Sequence, residues 1–194
     1  MSADIRIRPV REGDWDAIVA LEARAYADHG LSEGREALRS RHAASPGTCY
    51  VLEHVGGVGG YLLALPYPLF RSPDLSLGER PGAARPGARP SNLHAHDLVI
   101  AEELRGRGLA PRLMRHLHDT ARTAGYRTVS LVAVLGAQAV WARLGYRARP
   151  EIGLPESYGP GAVYMAMPLR PAGAHALPAL TDLTAVPTLA TELG

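Results

Sequence analysis

His94-Ala95-His96-Asp97-Leu98-Val99-Ile100-Ala101-Glu102-Glu103-Leu104-Arg105-Gly106-Arg107-Gly108-Leu109-Ala110 reads as a strand that delivers the chain to a glycine-rich turn, which in turn opens a helix. Residues 93 to 100 have strand character. From Leu109 onward, Leu113, Met114, Leu117, Ala121 and Ala124 fall on one stripe at helical spacing, and Gly125 ends it. Pro111 sits in the first turn, where its missing N–H breaks no bond. In this arrangement the amides of residues 106 to 110 lack helical partners and converge beside the positive end of the helix dipole. A diphosphate fits there if no side chain blocks it; Gly106 and Gly108 remove side chains, while Arg105 and Arg107 add charge. Taken alone, a Gly-Arg-Gly turn is equally an ordinary solvated basic turn. It is not a dinucleotide fingerprint, because no G-x-G-x-x-G follows the strand.

On the N-terminal side, Ile5-Arg6-Ile7-Arg8 alternates apolar and polar, predicting a first strand stopped by Pro9. Asp14 is placed to cap a helix with Trp15, Ile18, Leu21, Glu22 and Ala25 on its inner face and Tyr26 at its end. Gly30 closes that turn, and Ser32 caps a second short helix running to Ala44. Residues 49 to 53 and 58 to 65 read as strands joined by a hairpin turn at His54-Val55-Gly56-Gly57. Residues 66 to 92 are a different material. Pro66, Pro68, Pro73, Pro81, Pro86 and Pro90, several Gly and four Arg predict an irregular loop, either functional or mobile.

On the C-terminal side, residues 128 to 134 form a nearly continuous apolar and β-branched run, as expected of a strand buried on both faces. Residues 137 to 144 predict a short helix stopped by Gly145, and residues 146 to 149 and 162 to 169 predict the last strands. From Pro171 the Ala-, Thr- and Pro-rich segment reads as a tail or a loosely docked element. The expected organisation is one domain over residues 1–170, with 66–92 inserted and 171–194 as tail.

Composition limits the classes. A chain of 194 residues with 46% apolar and 21% charged residues is ordinary for one globular α/β domain. The net charge of +2 gives no global pull towards nucleic acid or membrane. Every basic residue is Arg and none is Lys, which suits fixed anion contacts but equally follows from a GC-rich genome. A single cysteine, Cys49, excludes an intrachain disulfide and a cysteine-cluster metal site. Charged residues interrupt the start, and no run of about 18 apolar residues occurs, so the expected compartment is the cytoplasm.

Arg105-x-x-Gly108-x-Ala110, following a strand and opening a helix, resembles the coenzyme A pyrophosphate loop of the GNAT superfamily of N-acetyltransferases. Ala137-Gln138-Ala139-Val140-Trp141-Ala142-Arg143-Leu144-Gly145-Tyr146 is similar to that superfamily's late helix, and the element order β-α-α-β-β-β-α-β-α-β-β agrees. The resemblance covers roughly residues 5 to 169. It implies an α/β (α+β) fold: a mixed, mostly antiparallel sheet of six or seven strands, splayed between two parallel strands and flanked by about four helices. It also implies acetyl-CoA as co-substrate, with Leu98, Val99 and Ile100 pairing with the pantetheine and thioester. Arg105, Gly106, Arg107, Gly108, Leu109 and Ala110 would hold the diphosphate. No metal is expected.

A free alkyl amine has a pKa near 10.4, so at pH 7 roughly one molecule in a few thousand is nucleophilic, and something must take the proton. Histidine suits that work. His94 and His96, two apart on a strand, share a face, with Ala95 and Asp97 on the other. Lying eleven and nine residues before Arg105, they resemble the paired histidines of arylalkylamine N-acetyltransferases. Other readings of the pair stay open: a metal site lacking an evident third ligand, or edge-strand polarity. Asp97 becomes the acting carboxylate if the strand bulges. Where superfamily members often carry a Tyr as acid, Trp141 stands here; Tyr158 is the alternative donor, and water a third. Tyr26, Asp28, His29 and Glu33 are candidates to meet a cationic amine, and Tyr67, Phe70 and Arg71 to cover it.

The expected activity is acetyl transfer to a primary amine of a small molecule by direct attack in a ternary complex. The expected protein is a monomer or homodimer without nucleic-acid or membrane partners. A protein or peptide acceptor and a non-catalytic CoA-binding module are the alternatives.

Overall fold

The computed structural model describes residues 5–79 and 91–169. Its sheet has seven strands in the order β1 (Arg6–Pro9), β2 (Tyr50–His54), β3 (Gly57–Pro66), β4 (Asn92–Ile100), β5 (Thr128–Ala133), β7 (Val163–Pro168), β6 (Arg147–Ala148). Only β4 and β5 run parallel; every other pair is antiparallel. Among the described residues four α-helices accompany it: α1 (Trp15–Tyr26), α2 (Gly34–Ala44), α3 (Leu109–Thr123) and α4 (Gln138–Arg143). This is the mixed α/β sheet expected from the sequence.

The predicted stripe on α3 is the buried one: Leu109, Leu113, Met114, Leu117 and Ala121 are all inside, and only Ala124, at the helix end, is exposed. Trp15, Ile18 and Leu21 of α1 and Leu38 of α2 join the same core. Two expected caps are otherwise engaged. Asp14 makes a two-point ion pair with buried Arg8 at 2.7 and 2.8 Å and accepts the Arg11 amide, so it anchors β1 instead of capping α1. Ser32 donates to Glu22 at 2.6 Å, and Glu33 takes the cap position of α2. Cys49 is fully buried, and burial pushes its thiol up to about 12.

Two departures from regular pairing shape the middle of the sheet. In β4, Asp97 opposes Leu63 and Ala95 opposes Ala64, so His96 is an extra residue, a bulge. Bulges bend a strand and increase its twist. Correspondingly, β4 pairs with β5 only over residues 92 to 94, opposite residues 128 to 130. Beyond that point β4 stays with β3 and β5 with β7, and the two parallel strands part. At the far end of β4, Gly59 and Gly60 allow a close approach. A Cβ on Gly59 would lie 2.3 Å from a Leu104 methyl, and one on Gly60 would lie 2.9 Å from the Val99 carbonyl oxygen. The Ala101 amide donates to Gly59 O at 2.9 Å, which seats the turn that follows.

Residues 67 to 79 are irregular, as their prolines predict, and they are pinned across the molecule. The Phe70 amide donates to Tyr164 Oη, Leu75 to Ser157 Oγ and Glu79 to Ser40 Oγ. Arg41 of α2, 1% exposed, donates to the carbonyls of Asp74 and Leu77 and to the Glu79 carboxylate. The remainder of the predicted 66–92 loop and the predicted tail at 171–194 lie outside the described residues, apart from Ser91 and Asn92, the latter the first residue of β4.

Candidate active site

After β4 a short 3-10 turn, Glu102–Leu104, leads into Arg105, Gly106, Arg107 and Gly108. Gly106 and Gly108 have φ of 75° and 72°, left-handed values at which a side chain is strained. No described acceptor takes the amides of residues 106 to 110, and residues 105 to 108 are exposed. The first carbonyl of the following helix turn, Gly108 O, accepts from Arg112, so α3 begins as the sequence predicts. Arg105 Nε donates to Ile100 O at 3.2 Å and Arg107 to Glu103 O at 3.2 Å, folding both guanidinium stems back along the turn. Free amides, absent side chains and adjacent cationic groups fit a diphosphate. Leu98, Val99 and Ile100 pair with β3 on one side only, leaving their other edge towards the gap between β4 and β5.

Within that gap lies a cavity of about 50 Å3. Its walls come from both parted strands, His96 and Asp97 of β4 and Val132 of β5 with the adjoining Val134. From α1 and the junction to α2 come Glu22, Tyr26, Leu31 and Glu33; Leu75 and Tyr158 close it. The bulge explains why His96 and Asp97, neighbours in sequence, face the same space; the alternation expected of a regular strand would have put Asp97 opposite. His94 is not on the wall. Its ring lies 6.2 Å from that of His96, with Nδ1 2.9 Å from Ser130 Oγ, itself bonded by Asn92 Nδ2.

Burial governs the titration of these groups. It holds His94 well below the ordinary histidine value, helped by His96 and Arg41, so this ring is neutral. Burial pushes Asp97 up to about 6, although the Tyr61 hydroxyl donates to it. For Glu33 burial acts upward but is outweighed by His96 and Arg41, which leave it below the usual carboxylate range. Burial, then Glu33, raise Tyr158. Three buried polar atoms here have no partner among the described residues: His94 Nε2, His96 Nδ1 and Tyr158 Oη.

Of the residues singled out from the sequence, His96, Asp97, Tyr158, Tyr26 and Glu33 meet at this cavity, Asp97 by way of the bulge on which its facing depended. Asp28, His29 and Arg71 face solvent, and Phe70 is 44% exposed; Tyr67 leans on His94 at 6.1 Å between rings. Trp141 packs edge-on against Tyr146, away from the cavity walls. Glu22 and Arg41 were not read as site residues. The signal for both was available, since a carboxylate on the apolar face of α1, and an Arg three residues after Leu38 on α2, each occupy an inward position. Among the described residues no group of three or more His, Cys, Asp or Glu is placed to hold a metal ion, and no helix is long and apolar enough to cross a membrane.

A sheet parted between two parallel strands, with a turn of exposed amides after the first of them and a polar cavity between the two, defines a class of acyl-CoA-handling α/β enzymes. The profile of the acetyltransferase (GNAT) family matches residues 15–146, and the chain belongs to that family of acetyl-CoA-dependent N-acetyltransferases. Three solved structures illustrate the likeness of fold. A GNAT family acetyltransferase from Brucella melitensis in complex with acetyl-CoA is 21% identical, with TM-score 0.59, covering 87% of this chain and 90% of that one. A polyamine N-acetyltransferase from Drosophila melanogaster is 24% identical, with TM-score 0.60, covering 86% and 100%. N-acetylglutamate synthase from Neisseria gonorrhoeae, complexed with coenzyme A and N-acetyl-glutamate, is 21% identical, with TM-score 0.64, covering 88% of this chain and 36% of that longer one. No curated protein matches the sequence significantly.

Proposed function

We propose that this acetyltransferase acts on the primary amine of a small, cationic molecule in the cytoplasm, as a monomer or homodimer, by direct attack in a ternary complex. The observation that carries this reading is the cavity's charge and enclosure. Glu22, Glu33 and Asp97 line it, and among the described residues Arg41 is the guanidinium paired with this set, through Glu33. Buried carboxylates in excess of cations are stabilised by a positive guest, and an alkylammonium is such a guest. Residues 67 to 79, tied to α2 and to the turn before β7, cross the side on which a peptide would need an open groove.

In this reading the catalytic domain is residues 1–170, with the tail at 171–194. Residues 105 to 110 hold the diphosphate of acetyl-CoA, and the free edge of Leu98, Val99 and Ile100 aligns the arm that carries the acetyl thioester. A main-chain N–H there polarises the carbonyl as charge develops on its oxygen. His96, backed by His94, takes the proton from the amine. Tyr158, its hydroxyl without a partner among the described residues, is the donor for the departing thiolate, in place of the Tyr that Trp141 replaces.

Release of free thiol from acetyl-CoA across a panel of monoamines, diamines, amino acids and N-terminal peptides tests this. Turnover of cationic amines with little on amino acids and peptides is expected. Turnover confined to peptides would transfer the protein to the peptide-acetylating class. Coenzyme A binding without turnover of anything would make it a binding module.

A further inference from the structure

His96, the extra residue of the β4 bulge, is held at one end only. Its Nε2 lies 2.5 Å from Glu33 Oε1, while Nδ1 is buried and has no partner among the described residues. The second oxygen of that carboxylate, Oε2, accepts from Arg41 Nη2 at 2.8 Å. Burial pushes Glu33 up, but His96 and Arg41 outweigh it and keep it ionised at neutral pH. A carboxylate only accepts, so a neutral imidazole facing it must carry its proton on Nε2. The lone pair of that ring is then on Nδ1, the nitrogen left without a partner among the described residues.

We infer that Glu33 is the positioning residue of acetyl transfer: it fixes His96 as the Nε2–H tautomer, so that Nδ1 is the atom that takes the proton from the acceptor amine. This rests on the acyl-transfer reading above. As the amine nitrogen bonds to the acetyl carbon, its proton passes to Nδ1, and the electron pair of the broken carbon–sulfur bond leaves with the thiolate. His96 becomes an imidazolium with a proton on each nitrogen, and the Glu33 carboxylate balances its charge.

The chain of contacts extends to the inserted segment. Arg41 also donates to Asp74 O at 2.7 Å and to Leu77 O at 2.6 Å, so the segment holds the guanidinium that holds Glu33. Arg41 can only donate, and this determines what Glu33→Gln does. The single amide oxygen of Gln must turn to Arg41, which leaves the NH2 facing His96 Nε2. A donor there forces the ring into the Nδ1–H form and removes the base.

The test uses the full chain labelled with 15N in its histidine rings, read by two-bond proton–nitrogen correlation at about pH 8 without substrate. The His96 signals are those missing from His96→Gln. Protonated Nε2 and bare Nδ1 are expected in the wild type, and the reverse in Glu33→Gln. In that variant kcat falls about 10³- to 10⁴-fold, as for other histidine bases held in the wrong tautomer, while KM for acetyl-CoA is little changed. Glu33→Asp keeps the wild-type tautomer and recovers part of kcat. Calorimetric binding of coenzyme A confirms that the variants are folded. An Nδ1–H or doubly protonated ring in the wild type, or an unchanged tautomer in Glu33→Gln, overturns the inference. A wild type that turns over no amine instead removes the acyl-transfer reading, and the two failures are distinguishable because the tautomer is read without turnover.

Discussion

The turn at residues 105 to 110 is made of main chain, whereas the cavity between β4 and β5 is made of side chains. In the turn, five amides have no acceptor among the described residues because a helix begins there, and the two glycines serve by having nothing to add. In the cavity each group is determined by several others: Glu33 by His96 and Arg41, Asp97 by Tyr61, Glu22 by Ser32 and the Glu33 amide. A site built from backbone geometry tolerates sequence drift. A site built from buried, mutually bonded side chains does not, because removing one member leaves the others buried and unpaired.

The largest expected effect is at the node of the cavity. Arg41→Met leaves Glu33 and Glu79 without their shared cation and should lower the unfolding free energy by about 3–5 kcal/mol, read by urea titration. A loss comparable to that of an exposed ion pair would contradict this description of the cavity.

Asp97 comes next. Its carboxyl in the folded chain titrates at about 6, above its ordinary value, so the fold binds that proton more tightly than the unfolded chain does. The associated stability is complete below the unfolded value and is lost as pH rises through the folded one. Relative to wild type, Asp97→Asn should therefore gain roughly 3 kcal/mol between about pH 4 and pH 7, measured as the difference between two unfolding curves.

Gly108→Ala separates the two regions. A Cβ there meets no atom within 4 Å, so strain at φ 72° is the whole steric effect, about 1–2 kcal/mol, while coenzyme A binding weakens and the cavity is untouched. The smallest stability change is expected for Tyr158→Phe. Its hydroxyl has no partner among the described residues, so its removal leaves the melting temperature unchanged or slightly higher, within about 1 kcal/mol, although turnover slows.

This division also explains how far the sequence could be read. The turn depends on the local order strand, glycines, apolar stripe, and Arg105 to Ala110 display that order in consecutive residues. The strands and helices follow from the same local patterns, whereas the parting of the sheet came only from the family resemblance. The cavity depends on pairings far apart in the chain. Nothing near Glu33 announces that its carboxylate meets His96, 63 positions later, or that Arg41 meets Glu79. The bulge was the least legible feature. Strict alternation put His96 and Asp97 on opposite faces, and a one-residue register shift against Leu63 and Ala64, set by pairing with β3, brought them together. Asp14 and Ser32 went astray for a related reason. Both are good caps by type, but Arg8 and Glu22 offered stronger charged partners.

The lone thiol of this chain is that of Cys49, sealed from solvent and held protonated, and the sequence has no lysine anywhere. A protein that works beside reactive thioesters is exposed to stray acylation of its own amines and thiols, and this one offers almost no nucleophile to accept it. Prolonged incubation with acetyl-CoA should leave its intact mass unchanged, apart from a possible single adduct at the amino terminus.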